Sequence, residues 1–322
     1  VTRLELTLLA ALCALTLISL SVGQSILPLS AWFDTSDPRH IVFAELRAPR
    51  VLLAVLIGGA LGLSGAVLQG YSRNALADPG VLGVSSMASA GAVIAIFFGL
   101  SAHWIWALPL AAAVGAGVGA ALLTGIAAMS ESATTFLLAG VVLNTLGGAV
   151  TALALTLAPG PWAQGEIVNW LMGALTDRSF DEVRLAAPFI LAGGAVMLSL
   201  GGALDALTLG ETSARGLGVS LSRTRMLLTL GAALATGASV AVSGVIGFVG
   251  LIAPHLLRRA VGGKPSALLW PSALAGALIL LAADTVVRLV PTGSELKLGV
   301  AMSAVGAPFF IWALIRGGAQ GR

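Results

Sequence analysis

Residues 51–69 read Val51-Leu52-Leu53-Ala54-Val55-Leu56-Ile57-Gly58-Gly59-Ala60-Leu61-Gly62-Leu63-Ser64-Gly65-Ala66-Val67-Leu68-Gln69. No charge interrupts this run, and it does not alternate apolar with polar as a barrel strand would. Inside hydrocarbon an unpaired backbone group costs several kcal/mol, so a crossing segment is a helix or part of a closed barrel. A helix crosses with roughly 20 apolar residues. This stretch therefore reads as a membrane helix.

Working outward, comparable apolar segments fall at about 4–27, 81–100, 104–128, 134–157, 183–204, 226–242, 245–257, 268–290 and 298–315. Of the 322 residues, 57% are hydrophobic and only 10% are charged, where a soluble domain carries about 25% charged residues. The fold class is all-α: one polytopic membrane domain over 1–322 with about ten transmembrane helices. The segment at 245–257 is too short for a full span and reads as partly embedded, like the broken helices of transporters. Arg3 ahead of the first segment resembles a signal-peptide start. The apolar run outlasts an h-region and no small-x-small cleavage site follows, so it reads as a span. The 41 glycines suit close approach of membrane helices. The lone Cys13 excludes disulfides and cysteine metal sites. Gly262-Gly263-Lys264-Pro265-Ser266 has Pro where a nucleotide loop needs Ser or Thr after Lys. Any ATP is bound by another chain.

With ten spans and both termini on one side, that side holds ten of the 17 Lys and Arg residues: Arg3, Arg73, Arg215, Arg223, Arg225, Arg258, Arg259, Lys264, Arg316 and Arg322. The positive-inside bias makes it the cytoplasmic side. Trp32, Trp104, Trp106, Trp162 and Trp170 read as anchors at the outer interface, Trp270 and Trp312 as inner ones. The longest polar segment between spans on the cytoplasmic side is about 205–225. Within it Glu211 and Arg215 are four apart with the acid first, which favours a short helix. Gly216 and Gly218 break that helix and Ser220 can cap a second turn. Two stubby helices with Ala214 and Leu217 exposed would make a knob suited to a groove on a partner; an ordinary loop is the alternative.

This segment resembles the coupling loop of the permeases of ATP-driven importers for iron-siderophores, haem and vitamin B12, the type II ATP-binding cassette importers. The likeness runs along essentially the whole chain. Arg47-Ala48-Pro49-Arg50 resembles the family's Arg-x-Pro-Arg before its second span. Gln69 followed by Arg73-Asn74-Ala75-Leu76-Ala77-Asp78-Pro79-Gly80-Val81-Leu82-Gly83 matches a second motif, with Ala75 where Pro is usual. Gly247-Phe248-Val249-Gly250-Leu251-Ile252-Ala253-Pro254-His255-Leu256-Leu257-Arg258 matches a third. Ala283-Asp284 with Arg288, and Gly306-Ala307-Pro308-Phe309-Phe310, complete the set.

The resemblance implies a homodimer whose shared axis forms the pathway. It implies two ATPase subunits, carrying ATP and Mg, docked on Glu211, Ala214, Arg215, Leu217 and Gly218. It implies a periplasmic binding protein gripping Arg47, Arg50 and Arg288, charges that steer encounter and fix register. Interfacial anchoring of Arg47 and Arg50 is an alternative, and Arg288 has Asp284 four residues earlier as an ion-pair partner. A cytoplasmic gate is implied at Asn74, Ala75 and Leu76 and at Ala133 and Thr134, with Ala133 replacing a hydroxyl residue. Asn144 and Thr145 line the path or serve helix packing. The setting is the bacterial inner membrane, with no nucleic-acid partner. The chain binds no cofactor and is no enzyme.

His40, His103, His255 and the single Tyr71 form no ladder of metal ligands, so the cargo passes without strong coordination. A predominantly apolar path favours haem over a ferric siderophore or vitamin B12. An ion-coupled transporter would place acidic residues near the bilayer midplane, whereas the acids here lie in loops or at span ends. An intramembrane enzyme would need a nucleophile and base or paired metal ligands within the spans.

Overall fold

In the computed structural model, the described residues are 2–23, 26–129, 132–290 and 295–319. Arg322 and the side chain of Arg316, both counted in the charge bias above, lie outside them.

Ten principal helices follow the apolar segments: α1 (Arg3–Ser21), α2 (Ala48–Ser72), α3 (Val84–Phe97), α4 (Ala107–Ala128), α5 (Ala133–Leu157), α6 (Phe180–Leu198), α7 (Leu221–Ser243), α8 (Val249–Leu257), α9 (Pro265–Leu289) and α10 (Leu298–Ala319). Among the described residues six are long and apolar enough to cross a membrane unaided, and α6 with the helix Gly201–Leu207 passes the same test as a pair bent by 43°. Helices α3 and α8 are shorter. Helix α3 has 14 residues, because Pro79–Leu82 turns as a 3-10 helix before it and Gly99 ends it at φ +68°. Helix α8 has nine residues, as the shortness of its apolar run implies.

The stretches between spans hold more helix than their polarity suggests. Residues 39–47 wind directly into α2, the last six of them as a π-helix, Val42–Arg47, a geometry that clusters at functional sites. Another helix, Pro161–Leu171, lies between α5 and α6. Its Trp170 is 9% exposed, so this residue packs inward and is no interfacial anchor. Trp104, Trp162, Trp270 and Trp312 are exposed.

Helix α2 is the centre of the bundle. A Cβ on Gly58 or Gly62 would collide with the carbonyls of Gly276 and Ser272 on α9, and one on Gly276 with the carbonyl of Gly58. Small residues thus bring the two backbones into direct contact, which drives helix association where lipid removes the hydrophobic effect. Gly65 meets the Gly250 carbonyl of α8 in the same way. Helices α2, α8 and α9 form one tightly packed block. Helix α5 presents Leu138, Val142 and Leu146 outward on one face.

Candidate functional site

The residues singled out from the sequence gather at three places: a knob and two gate segments at one end of the bundle, a cavity within it, and an arginine cluster at the other end.

The knob is the helix Glu211–Gly216. Gly210 enters it at φ +94° and Gly218 leaves at φ +85°, left-handed values that glycine adopts without penalty. Ser220 then accepts the Arg223 N–H at 3.3 Å, but the helix it caps is the 23-residue α7, not a second short turn. Leu217 is 65% exposed, as a docking residue requires. Ala214 departs from expectation. It is 0% exposed and belongs to the core, because a one-and-a-half-turn helix lying against the bundle must bury one side. Ala214 holds the knob against the bundle instead of presenting its side chain outward. Glu211 is half-buried, and Arg215 and Gly218 are exposed.

Both gate segments lie at the same end as each other. The Tyr71 ring at the end of α2 meets Phe136 in the first turn of α5 edge-on at 5.6 Å. Asn74 Oδ1 accepts the Leu76 N–H at 2.9 Å, and Arg73 sits at φ +52°, so Asn74 shapes its loop through its own side chain. Ala75 is half-buried and Leu76 exposed. Ser132 caps α5 by accepting the Thr134 N–H at 3.2 Å. Thr134 is exposed and Ala133 half-buried.

A cavity of about 310 Å³ lies between α2, α3, α5 and the irregular Gly244–Phe248 connection, lined by Asp78, Ser85, Ser86, Asn144 and Ser243 among others. Ser86 Oγ donates to Asn144 Oδ1, placing Asn144 on its wall. Thr145 instead bonds the Val141 carbonyl at 3.0 Å on the outer face of α5. Asp78 accepts the Gly80 N–H at 2.8 Å. Burial pushes its carboxyl above the usual range, against the lowering effect of that bond. Among the described residues no group of three or more His, Cys, Asp or Glu is arranged to hold a metal ion. His255 lies 5.8 Å from the Phe310 ring and 6.2 Å from Phe309.

At the opposite end, Arg50 Nε donates to both oxygens of Asp284, at 2.9 and 3.1 Å, and its terminal nitrogens reach Glu295. Arg288 Nε lies 3.2 Å from Asp284 Oδ2, and Arg288 also donates to the Ser19 carbonyl at 3.1 Å. Arg47 donates to the Leu20 carbonyl at 3.0 Å. All three arginines are 6–8% exposed. They are not rim charges awaiting a partner. They knit α1, α2 and α9 together, while lining a pocket of about 240 Å³ with Glu295, Val42 and Leu46. Among the described residues, three guanidinium groups and the Glu295 carboxylate line this pocket, with Asp284 buried behind Arg50 and Arg288.

Two further polar contacts tie the knob's end of the bundle. Arg258 donates to Gln69 at 2.7 Å, linking two of the quoted motifs. Asp205 binds the first turn of α9, accepting the Ser266 N–H at 2.9 Å and its hydroxyl at 2.7 Å, with Lys264 Nζ at 3.5 Å. Sequence reasoning missed Asp205. The signal was there: α9 starts with Pro265 after Lys264, which offers no side-chain cap, so its first N–H groups need an acceptor from elsewhere.

Residues 11–316 match the model of the FecCD transport family. The chain belongs to that family. A vitamin B12 import system permease of Vibrio cholerae is 42% identical over 90% of this chain and 86% of its own length. A hemin transport system permease of Yersinia pestis is 37% identical over 96% of this chain and 94% of its own. A solved metal-chelate type ABC transporter in an inward-facing conformation superposes with a TM-score of 0.89 at 31% identity, over 98% of this chain and 99% of that one. The family's members named here are transport permeases, not enzymes. This chain is a multi-span membrane permease of an ATP-binding cassette importer for iron chelates, haem or vitamin B12. Such permeases work with ATPase and substrate-binding partners.

Proposed function

We propose that two copies of this permease enclose a pathway, that the knob takes the power stroke from two ATPase subunits, and that the arginine pocket receives the binding protein. ATP and Mg reside on the ATPases. The exposed Leu217, held out by a buried Ala214 between two left-handed glycines, is the observation that carries this reading. Both termini and the knob then lie on the cytoplasmic side of the inner membrane, and the arginine pocket faces the periplasm. The three arginines lining that pocket suit an acidic partner surface. The outward apolar face of α5, with Thr145 and the two gate segments below it, suits the wall of a path that closes on a bulky cargo.

The cargo class is a metal chelate, and haem is the first reading because the exposed residues of α5 are mostly apolar. Vitamin B12 is the second reading. It is favoured by the Vibrio cholerae relative and by the polar wall around Asn144, Ser86 and Ser243. Co-expression with the cognate ATPase tests the importer reading: the ATPase co-purifies with wild type and is lost from Leu217→Asp. Retention of the ATPase by Leu217→Asp would contradict it. Uptake into proteoliposomes, comparing haem, vitamin B12 and a ferric siderophore with the cognate binding protein, decides the cargo. Movement of another cargo without haem would discard the first reading.

A further inference from the structure

Helix α9 touches both ends of the machine. At its first turn, Asp205 holds the Ser266 N–H and hydroxyl. At its last turns, Asp284 and Arg288 hold Arg50 and Ser19. From Ser266 to Asp284 is about 27 Å at ~1.5 Å per residue. Pro271 removes one backbone bond from the helix, but there α2 braces it: Gly62 packs on the Ser272 carbonyl and Gly58 on Gly276. The rod is stiffened where it would otherwise bend.

The knob has two connections. One is covalent, through Ser220 into α7, whose far end leads to the Gly244–Phe248 wall of the cavity. The other runs back through the helix Gly201–Leu207, which carries Asp205. Gly201 packs on Ser266 and Leu269, so this short helix lies directly against the start of α9. Asp205 contributes both hydrogen bonds across that contact. Charge-assisted bonds of this kind are roughly twice as strong as neutral ones.

From this arrangement we propose that Asp205 is a positioning residue for coupling: it ties the knob to α9, and α9 carries the knob's displacement to the Arg50–Asp284–Arg288 cluster. This rests on the importer reading above. Helix α7 then serves the pathway and α9 serves the docking pocket, so that ATP binding and binding-protein docking sense one another through one rigid rod. Rigid-body displacement of packed helices is a standard way to link distant sites, and linkage makes the effect reciprocal for binding.

The test uses proteoliposomes containing the permease, its cognate ATPase and binding protein, and MgATP. It compares hydrolysis with and without the binding protein. In Asp205→Ala both partners are still captured, but stimulation by the binding protein falls at least fivefold. Asp205→Asn keeps an acceptor for the Ser266 N–H and recovers at least half of it, and Ser266→Ala, which loses the hydroxyl bond alone, falls between. Wild-type stimulation in Asp205→Ala would overturn the proposal. So would an equal loss in Asp205→Asn accompanied by loss of partner capture, since Asp205 would then only hold the fold. A wild-type permease that captures no ATPase would instead remove the importer reading on which this one stands.

Discussion

Arg50 and Asp284, 234 positions apart in sequence, form a forked ion pair in which Nε and a terminal nitrogen of Arg50 both bond the buried carboxylate. Asp284 is 0% exposed, and Arg288 shares it from the other side at 3.2 Å. The pair joins the start of α2 to the end of α9, so it is a structural joint before it is anything else. Removing one partner of a buried pair costs about 3–5 kcal/mol, of which the Arg288 that remains on Asp284 offsets a part. Arg50→Ala therefore lowers the midpoint of thermal unfolding in detergent substantially. Arg39→Ala, which breaks the pair of an exposed Arg39 with Asp37, leaves it nearly unchanged, since exposed pairs contribute about 0–1 kcal/mol.

The knob separates anchoring from docking. Ala214→Leu overpacks a fully buried site and costs about 1–3 kcal/mol, visible as a lower unfolding midpoint in the isolated permease. Leu217→Asp leaves that midpoint unchanged, because the side chain is exposed, and abolishes ATPase co-purification. The two variants therefore fail in different assays.

Glycine substitutions distinguish contact from exposure. Gly62→Leu drives a side chain into the Ser272 carbonyl and prevents folded permease from accumulating in membranes, read by size-exclusion chromatography. A Cβ on Gly117 meets nothing within 4 Å, and Gly117→Ala yields protein at the wild-type level.

The proposed homodimer predicts which face meets its copy. In a Cys13→Ala background, Thr145→Cys on the outer face of α5 cross-links to itself across the shared axis. Gly117→Cys on α4 does not. The reverse pattern would place the axis elsewhere.

Much of the fold was legible because a membrane span is decided locally, by length and apolarity. Even the shortness of α8 could be read from its run. What the sequence hid depends on tertiary partners. The arginines 47, 50 and 288 read as docking charges, with anchoring and the Arg288–Asp284 pair as alternatives, and their partners Glu295, Ser19 and Leu20 could not be read because they come from distant stretches. Ala214 read as exposed because nothing local shows which side of a six-residue helix meets the bundle. Asn144 read as lining the path or serving helix packing, and its partner Ser86 emerged only from the packing of α3 on α5. The π-helix before α2 had no local signal in the sequence.

In the proposed importer the knob near residue 215 faces a cytoplasmic ATPase. Leu217→Cys in the Cys13→Ala background, assembled with its cognate ATPase and treated with a short bismaleimide, measures it directly. The account predicts a cross-link between permease and ATPase, together with protection from a membrane-impermeant thiol reagent added outside intact cells. Labelling from outside with no cross-link would contradict it.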